Sequence, residues 1–346
     1  MPRRRGVARR CACFRLTLTG LLALGWPSIA RGAAPEPDAR GASTANARPP
    51  RLRLGAPTEA AAGPSGPALW KAGISLGIVG STYAAGWVFV SAAFWEHQHG
   101  AGFRFRDEGA FGLHTYAGGA DKLGHLYANY LTTRLYADVL TWGGFSRTLS
   151  VLSSTLLTMG FFSAVEIKDG YTAKYGFSVG DMLANVAGEG AALAFMLAPR
   201  LDDSFSLKLL YYPSRDFRHA VASDGAVNMP EDYSGQTYLL SFHLASLPPA
   251  KRGGFLEALR YLDLSLGYAT RGYEPAPRVM EPLRQRLSLR FSLNLQTVFD
   301  DLLHAPAAAR STGSAVVHFV NEVYQPPYTS LPVFTYQREA RPTPQE

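Results

Sequence analysis

The chain has 346 residues, 47% of them hydrophobic, 12% aromatic and only 18% charged. That composition excludes a wholly disordered chain and a coiled-coil rod, and a charge content below the usual ~25% points to a membrane or cell-envelope protein. The net charge of +7 is concentrated at the N-terminus: residues 1–54 hold eleven Arg against Glu36 and Asp38, so the remainder is slightly acidic. A nucleic-acid partner needs a clustered basic face on the folded domain, and none is expected here.

The N-terminus reads as a secretory signal. Residues 2–10 (PRRRGVARR) are strongly positive, residues 14–26 are apolar apart from Arg15, and Ser28-Ile29-Ala30 fits the small-x-small cleavage pattern. The expected signal peptide is 1–30. Its apolar run from Leu16 to Trp26 is shorter than the ~20 residues a membrane span requires. Cys11 and Cys13 are the only cysteines and precede the apolar run, where a lipoprotein cysteine would follow it. They would leave with the signal, so no disulfide is expected in the mature chain. Residues 31–67 are rich in Ala, Pro, Gly and Arg with no periodicity, which predicts a disordered linker.

A helical domain is expected over residues 68–200. Leu69 to Trp95 carries Lys71 as its only charge and repeats Gly and Ala, a pattern that suits either a membrane-contacting helix or a buried core helix. A Gly-rich link follows. Asp121 to Thr141 places Leu123, Leu126, Tyr127, Tyr130, Leu131, Leu135 and Val139 at steps of three and four, which predicts a helix ended by Gly143-Gly144. Ser146 and Ser178 are expected N-caps of a third helix, to about Ile167, and a fourth, to about Leu197, closed by Pro199.

From Phe205 the texture changes to period-two segments: 205–212, 236–247, 261–268 and 287–297. These predict an antiparallel β region over 201–335. Four or five such strands are too few for an ordinary closed barrel, so a twisted sheet packed on the helices is expected. Residues 336–346 read as a frayed, disordered tail. The fold class is therefore α+β, an apolar four-helix domain followed by antiparallel strands.

The candidate chemistry lies in the helices. Asp121-Lys122-x-x-His125 puts Asp121 and His125 on one helix face. Glu166 and Asp169 stand three apart at a helix end, and Asp181, Asn185 and Glu189 form an i, i+4, i+8 ladder. In segments otherwise made of Leu, Ala, Gly and Phe, such groups must be paired. The bland reading is an ion-paired knot that fixes helix register. The sharp reading is a substrate or metal site, with Asp121, His125 and Glu166 as the ligand set for a divalent cation. Spacing of the H-E-x-x-H type and a G-x-x-x-x-G-K-[ST] phosphate-binding loop are absent from the sequence.

The order Asp121-Lys122-x-x-His125, Glu166-x-x-Asp169-Gly170, Phe177-Ser178-x-x-Asp181-Met182-x-x-Asn185-x-x-Gly188 resembles the YfiM-like family, a domain of unknown function among predicted periplasmic lipoproteins. It is more distantly similar to VanZ-type membrane proteins. The resemblance covers roughly residues 112–200 and implies an envelope location and a small helical domain, without an established reaction. The expected function is an exported envelope protein with a structural or lipid- or glycan-binding role at the outer membrane. The alternatives are a metal-assisted hydrolase or transferase on an envelope substrate and a VanZ-like inner-membrane resistance protein. Expected partners are a membrane and an envelope lipid or glycan.

Overall fold

The computed structural model describes residues 69–340 apart from 97–99, 101, 223–227, 248–253, 274–281 and 304–311. The expected signal peptide, linker and terminal 341–346 lie outside the described residues, as do His97 and His99. The described residues lie within one compact unit.

Four long helices come first: α1 (Leu69–Val90), extended by a single wider turn at Ser91–Trp95, α2 (Ala120–Trp142), α3 (Arg147–Gly170) and α4 (Val179–Leu197). Ser146 and Ser178 cap α3 and α4, their hydroxyls accepting from the backbone N–H of Leu149 and Asp181, because a Ser oxygen replaces the missing intrahelical acceptor. Gly144, rather than Gly143, takes the left-handed conformation after α2. Pro199 does not simply stop the chain. It opens a short helix α5 (Pro199–Ser204), where its missing N–H costs nothing.

Helix α2 is the centre of the helical layer. Tyr127, Tyr130 and Ala137 pack with Ala192, Phe195 and Met196 of α4. Val79 of α1 packs against Tyr136, Val139 and Leu140. The α2–α4 contact is close because Gly188 faces α2: a Cβ there would lie 2.1 Å from the Leu126 carbonyl oxygen. A buried Arg134 ties α2 to the rest, pairing with Asp202 of α5 at 2.9 Å and with Glu322.

The sheet is a five-stranded antiparallel meander in sequence order: β1 (Phe205–Tyr211), β2 (Gln236–His243), β3 (Leu262–Arg271), β4 (Leu283–Leu293) and β5 (Ser330–Ala340). Between strands lie α6 (Arg215–Ala222), α7 (Leu295–Leu303) and α8 (Thr312–Val323), three helices the alternating pattern did not announce. The expected last strand to Thr297 ends early because Asn294 caps α7, accepting from Thr297 N–H at 3.1 Å. The expected frayed tail from residue 336 is corrected through Ala340. β5 pairs with β4 along its length, with a register shift at Leu289/Arg290, since Val333, Phe334, Thr335 and Tyr336 are strong strand formers.

Sheet polarity is inverted relative to a soluble sheet. One cross-strand row runs Leu207, Leu240, Leu266, Leu289, Phe334. Its first member packs on the helices, while the last four are exposed. The opposite face is buried and polar. Ser241, Ser265, Ser292 and Ser330 form a hydroxyl chain with links of 2.8, 3.0 and 2.8 Å. Beside it Asp263 binds Lys208 at 2.8 Å and His243 at 2.6 Å. The helices repeat this. α3 buries Ser150, Ser154 and Thr158 and exposes Leu149, Leu152 and Leu156; α4 buries Asp181, Asn185 and Glu189 and exposes Val179, Leu183 and Val186. By length and composition, Leu69–Trp95 and Arg147–Gly170 suffice to cross a membrane.

Gly188→Ala is expected to lower thermal stability by about 3 kcal/mol, the upper end of overpacking costs, because the obstructing atom is backbone. Gly190→Ala, two residues on with nothing within 4 Å of the added carbon, should be neutral or stabilising. Thermal unfolding of the two variants beside wild type checks the contrast; equal melting temperatures would remove the close α2–α4 contact from the account.

Candidate functional site

The site begins with a backbone device. Ala117, Gly118 and Gly119 all have positive φ, at 49°, 60° and 87°, forming a tight left-handed turn immediately before α2. Carbonyl groups of this turn are held by the sheet: Gln285 Nε2 donates to the Gly118 oxygen at 2.8 Å, and the Tyr268 hydroxyl donates to the same atom. This fixes where α2 starts, and hence where Asp121 and Lys122 stand.

Lys122 is buried with its Nζ among three carboxylates, 2.6 Å from Asp181, 2.8 Å from Glu108 and 3.0 Å from Asp121. Asp121 also accepts from the Tyr233 hydroxyl at 2.7 Å. His125, one turn on, has Nδ1 3.0 Å from Asn185 Oδ1 and 3.6 Å from Glu166 Oε1, and Nε2 3.9 Å from both Asp121 and Asp181. Asn129 donates to Asn185 Oδ1 at 2.6 Å, and Thr133 to Glu189 at 2.7 Å. The α4 ladder therefore meets a matching ladder on α2, step for step. Asp169 accepts from Trp95 Nε1 at 2.6 Å.

All seven residues singled out in the sequence, Asp121, Lys122, His125, Glu166, Asp169, Asp181 and Asn185, stand in this one region. Five of them, Asp121, His125, Glu166, Asp169 and Asp181, line a cavity of about 460 Å³, within the size range of ligand pockets. Glu108, Glu231, Tyr116, Tyr175, Tyr233 and Trp95 were not anticipated. Glu108 and Tyr116 come from the Gly-rich link and Tyr233 and Glu231 from the strand half, so no helical spacing could flag them. The lining is of two kinds. Carboxyl groups and His125 share it with Phe89, Phe94, Phe161, Phe162 and Val165 from α1, its extension and α3, and α3 also supplies Glu166 and Asp169.

Asp121, His125 and Asp181 offer one donor atom each within 4.8 Å of one another, so Asp181 takes the place expected for Glu166 in a cation-ligand set. The Lys122 ammonium, at hydrogen-bond distance from both carboxylates, already supplies positive charge there. Burial works to push the His125 imidazole down, but the carboxylates of Asp121, Asp181 and Glu166 outweigh it and raise it to about 9. Burial also opposes ionisation of Asp121, yet His125 and Lys122 hold it low, whereas burial and the Asp121 charge push Asp181 upward.

Residues 107–199 match the sequence model of a family described as predicted periplasmic lipoprotein, a domain of unknown function (DUF2279). The match supports an exported protein of the cell envelope and a periplasmic setting. Neither the curated proteins nor the solved structures contain a match.

Because His125 is raised from 6.5 to about 9 in the fold, its stabilisation is complete below pH 6.5 and is lost as pH rises through 9. The upward shift of Asp181 acts in the same direction. Melting temperature should therefore fall between pH 6.5 and 9, and His125→Gln should flatten that limb. An unchanged slope in the variant would mean that His125 is not held charged by these carboxylates.

Proposed function

We propose that the protein binds one amphiphile of the cell envelope, with its acyl part against Phe89, Phe94, Phe161 and Phe162 and its polar head at the Asp121–His125–Asp181 cluster. The observation that carries this reading is a lining that combines a group of phenylalanines from α1, its extension and α3 with carboxyl-bearing side chains and His125, α3 running from Phe161, Phe162 and Val165 to Glu166 and Asp169 along its length. An aliphatic chain gains by leaving water for the phenylalanines. Hydroxyl or amino groups of a glycan or amine head donate to the carboxyl oxygens of the polar part. Phe89 lines the cavity and is also 45% exposed, so the apolar part of the lining continues onto the outer face of α1. A place at the outer membrane belongs to this reading; the 11-residue strands β4 and β5 suit that setting.

A second reading, a divalent cation activating water for hydrolysis or transfer, is favoured by the proximity of Asp121, His125 and Asp181. It requires Lys122 to withdraw from Asp121 and Asp181. Under the leading reading, manganese or zinc added to the purified protein is not retained stoichiometrically.

The direct test is titration of the full-length protein with dodecylamine and with dodecyl maltoside, followed through Trp95 beside Asp169. Saturable binding of at least one of them is expected. Val165→Trp, which fills the apolar part of the cavity, should weaken it at least tenfold, about 1.4 kcal/mol. Binding unaffected by Val165→Trp, together with stoichiometric metal uptake that His125→Ala abolishes, would replace the amphiphile by the cation.

A further inference from the structure

In water, a fold gains stability by burying apolar side chains and leaving polar ones outside. This chain does the reverse in several separate elements. Leu156 of α3 is 72% exposed, Leu183 of α4 is 65% exposed, and Phe334 of β5 is 65% exposed. Behind them lie Thr158, Asn185 and the serine chain of the sheet, all buried. α8 does the same, burying His318 and Asn321 while exposing Val316 and Val320. Isolated exposed leucines are ordinary on soluble proteins, but continuous apolar faces are not.

We propose that these faces lie in the hydrocarbon of a bilayer, with α1 and α3 crossing it and the outer face of the sheet against acyl chains. A protein partner covers one patch, whereas hydrocarbon covers the outward faces of helices and sheet together. The sheet itself marks the limits of such a band. Leu287, Leu289, Phe291 and Leu293 alternate outward over six residue steps of β4, about 20 Å at strand rise. At the other end the outward row turns polar, with Gln285 opposite Arg338, and on the reverse face of that end Arg284 pairs with Glu339 at 2.9 Å and Arg286 donates to Gln337 at 2.7 Å. Tyr336 stands at the boundary, pairing with Leu287, as aromatic side chains do at membrane interfaces. Hydrocarbon offers no hydrogen-bond partner to a free strand edge. The charged end of β5 therefore belongs at the head groups or in water. The inference does not depend on what the cavity holds.

The test uses the full chain with Cys11→Ser and Cys13→Ser, which removes both cysteines. Single cysteines then replace Leu156, Leu289 or Phe334, with Lys174 as a control whose side chain is half exposed. Each is labelled with bimane after reconstitution into phosphatidylcholine–phosphatidylglycerol vesicles. Doxyl-labelled lipid should quench the three outward positions and spare Lys174, while iodide should do the opposite. The unaltered protein provides a second measurement, since brominated lipid should quench Trp70 and Trp87, both exposed on α1. Iodide quenching at Leu156 and Leu289, or failure of the unaltered protein to enter vesicles, would overturn the proposal. So would shielding of Phe334 from both quenchers in a crosslinkable dimer, which would assign the sheet face to a second copy.

Discussion

The fold depends on the neutralisation of one buried ammonium. Removing a charge from water costs several kcal/mol unless partners and hydrogen bonds compensate. Lys122 has three carboxylate partners, and each comes from a different part of the chain: Glu108 from the link before α2, Asp121 from α2 itself, and Asp181 from the first turn of α4. The charge can be satisfied only when link, α2 and α4 stand in one relative position. Asp121 extends this requirement to the strand half through Tyr233. An apolar core tolerates sliding by a fraction of a turn, whereas these bonds do not. This is how a helix pair with a glycine contact at Gly188 acquires a unique register.

The helical ladder was legible in the sequence because its members share a helix. Spacings of four place Asp181, Asn185 and Glu189 on one face whatever the tertiary structure. Their counterparts on α2 were only half legible: His125 was evident, but Asn129 and Thr133 look like ordinary polar substitutions until α4 is laid beside them. Glu108 and Tyr233 carry no periodic signal, since one lies in a loop and the other in a single helical turn before β2. The first four strands were found by alternation, whereas β5 was not among the period-two segments and its end from Tyr336 was read as tail. There the side chains turn polar, and only pairing with β4 reveals the strand. Alternation also identifies two faces without saying which is inside. The row of Leu and the row of Ser lie on opposite faces, and the sequence leaves open which of them meets the helices. The leucine face meets the helices at Leu207 and is exposed at Leu266 and Leu289, while the serine face is buried.

Polar interior and apolar exterior are two results of one arrangement. Once hydrocarbon-compatible residues face outward, the buried volume must be filled by groups that satisfy one another. Ser241, Ser265, Ser292 and Ser330 do so as neutral hydroxyls, and Arg134 does so with Asp202 and Glu322. The cluster around Lys122 differs from both. Lys122 is served by Glu108, Asp121 and Asp181 alone, yet Glu166, Asp169 and Glu231 add three more carboxyl groups to the same cavity. Glu166 and Asp169 tie α3 to His125 and Trp95, but so many acids in one buried space also repel one another and resist ionisation. The surplus has a physical use when a donor-rich group enters the cavity. The residues that position α2 and α4 are therefore separable from those that face the cavity, although they touch. Asp121 and Asp181 belong to both sets, while Glu166, Asp169 and Glu231 line the cavity from outside the Lys122 cluster, each on its own partner: His125, Trp95 and Asn228.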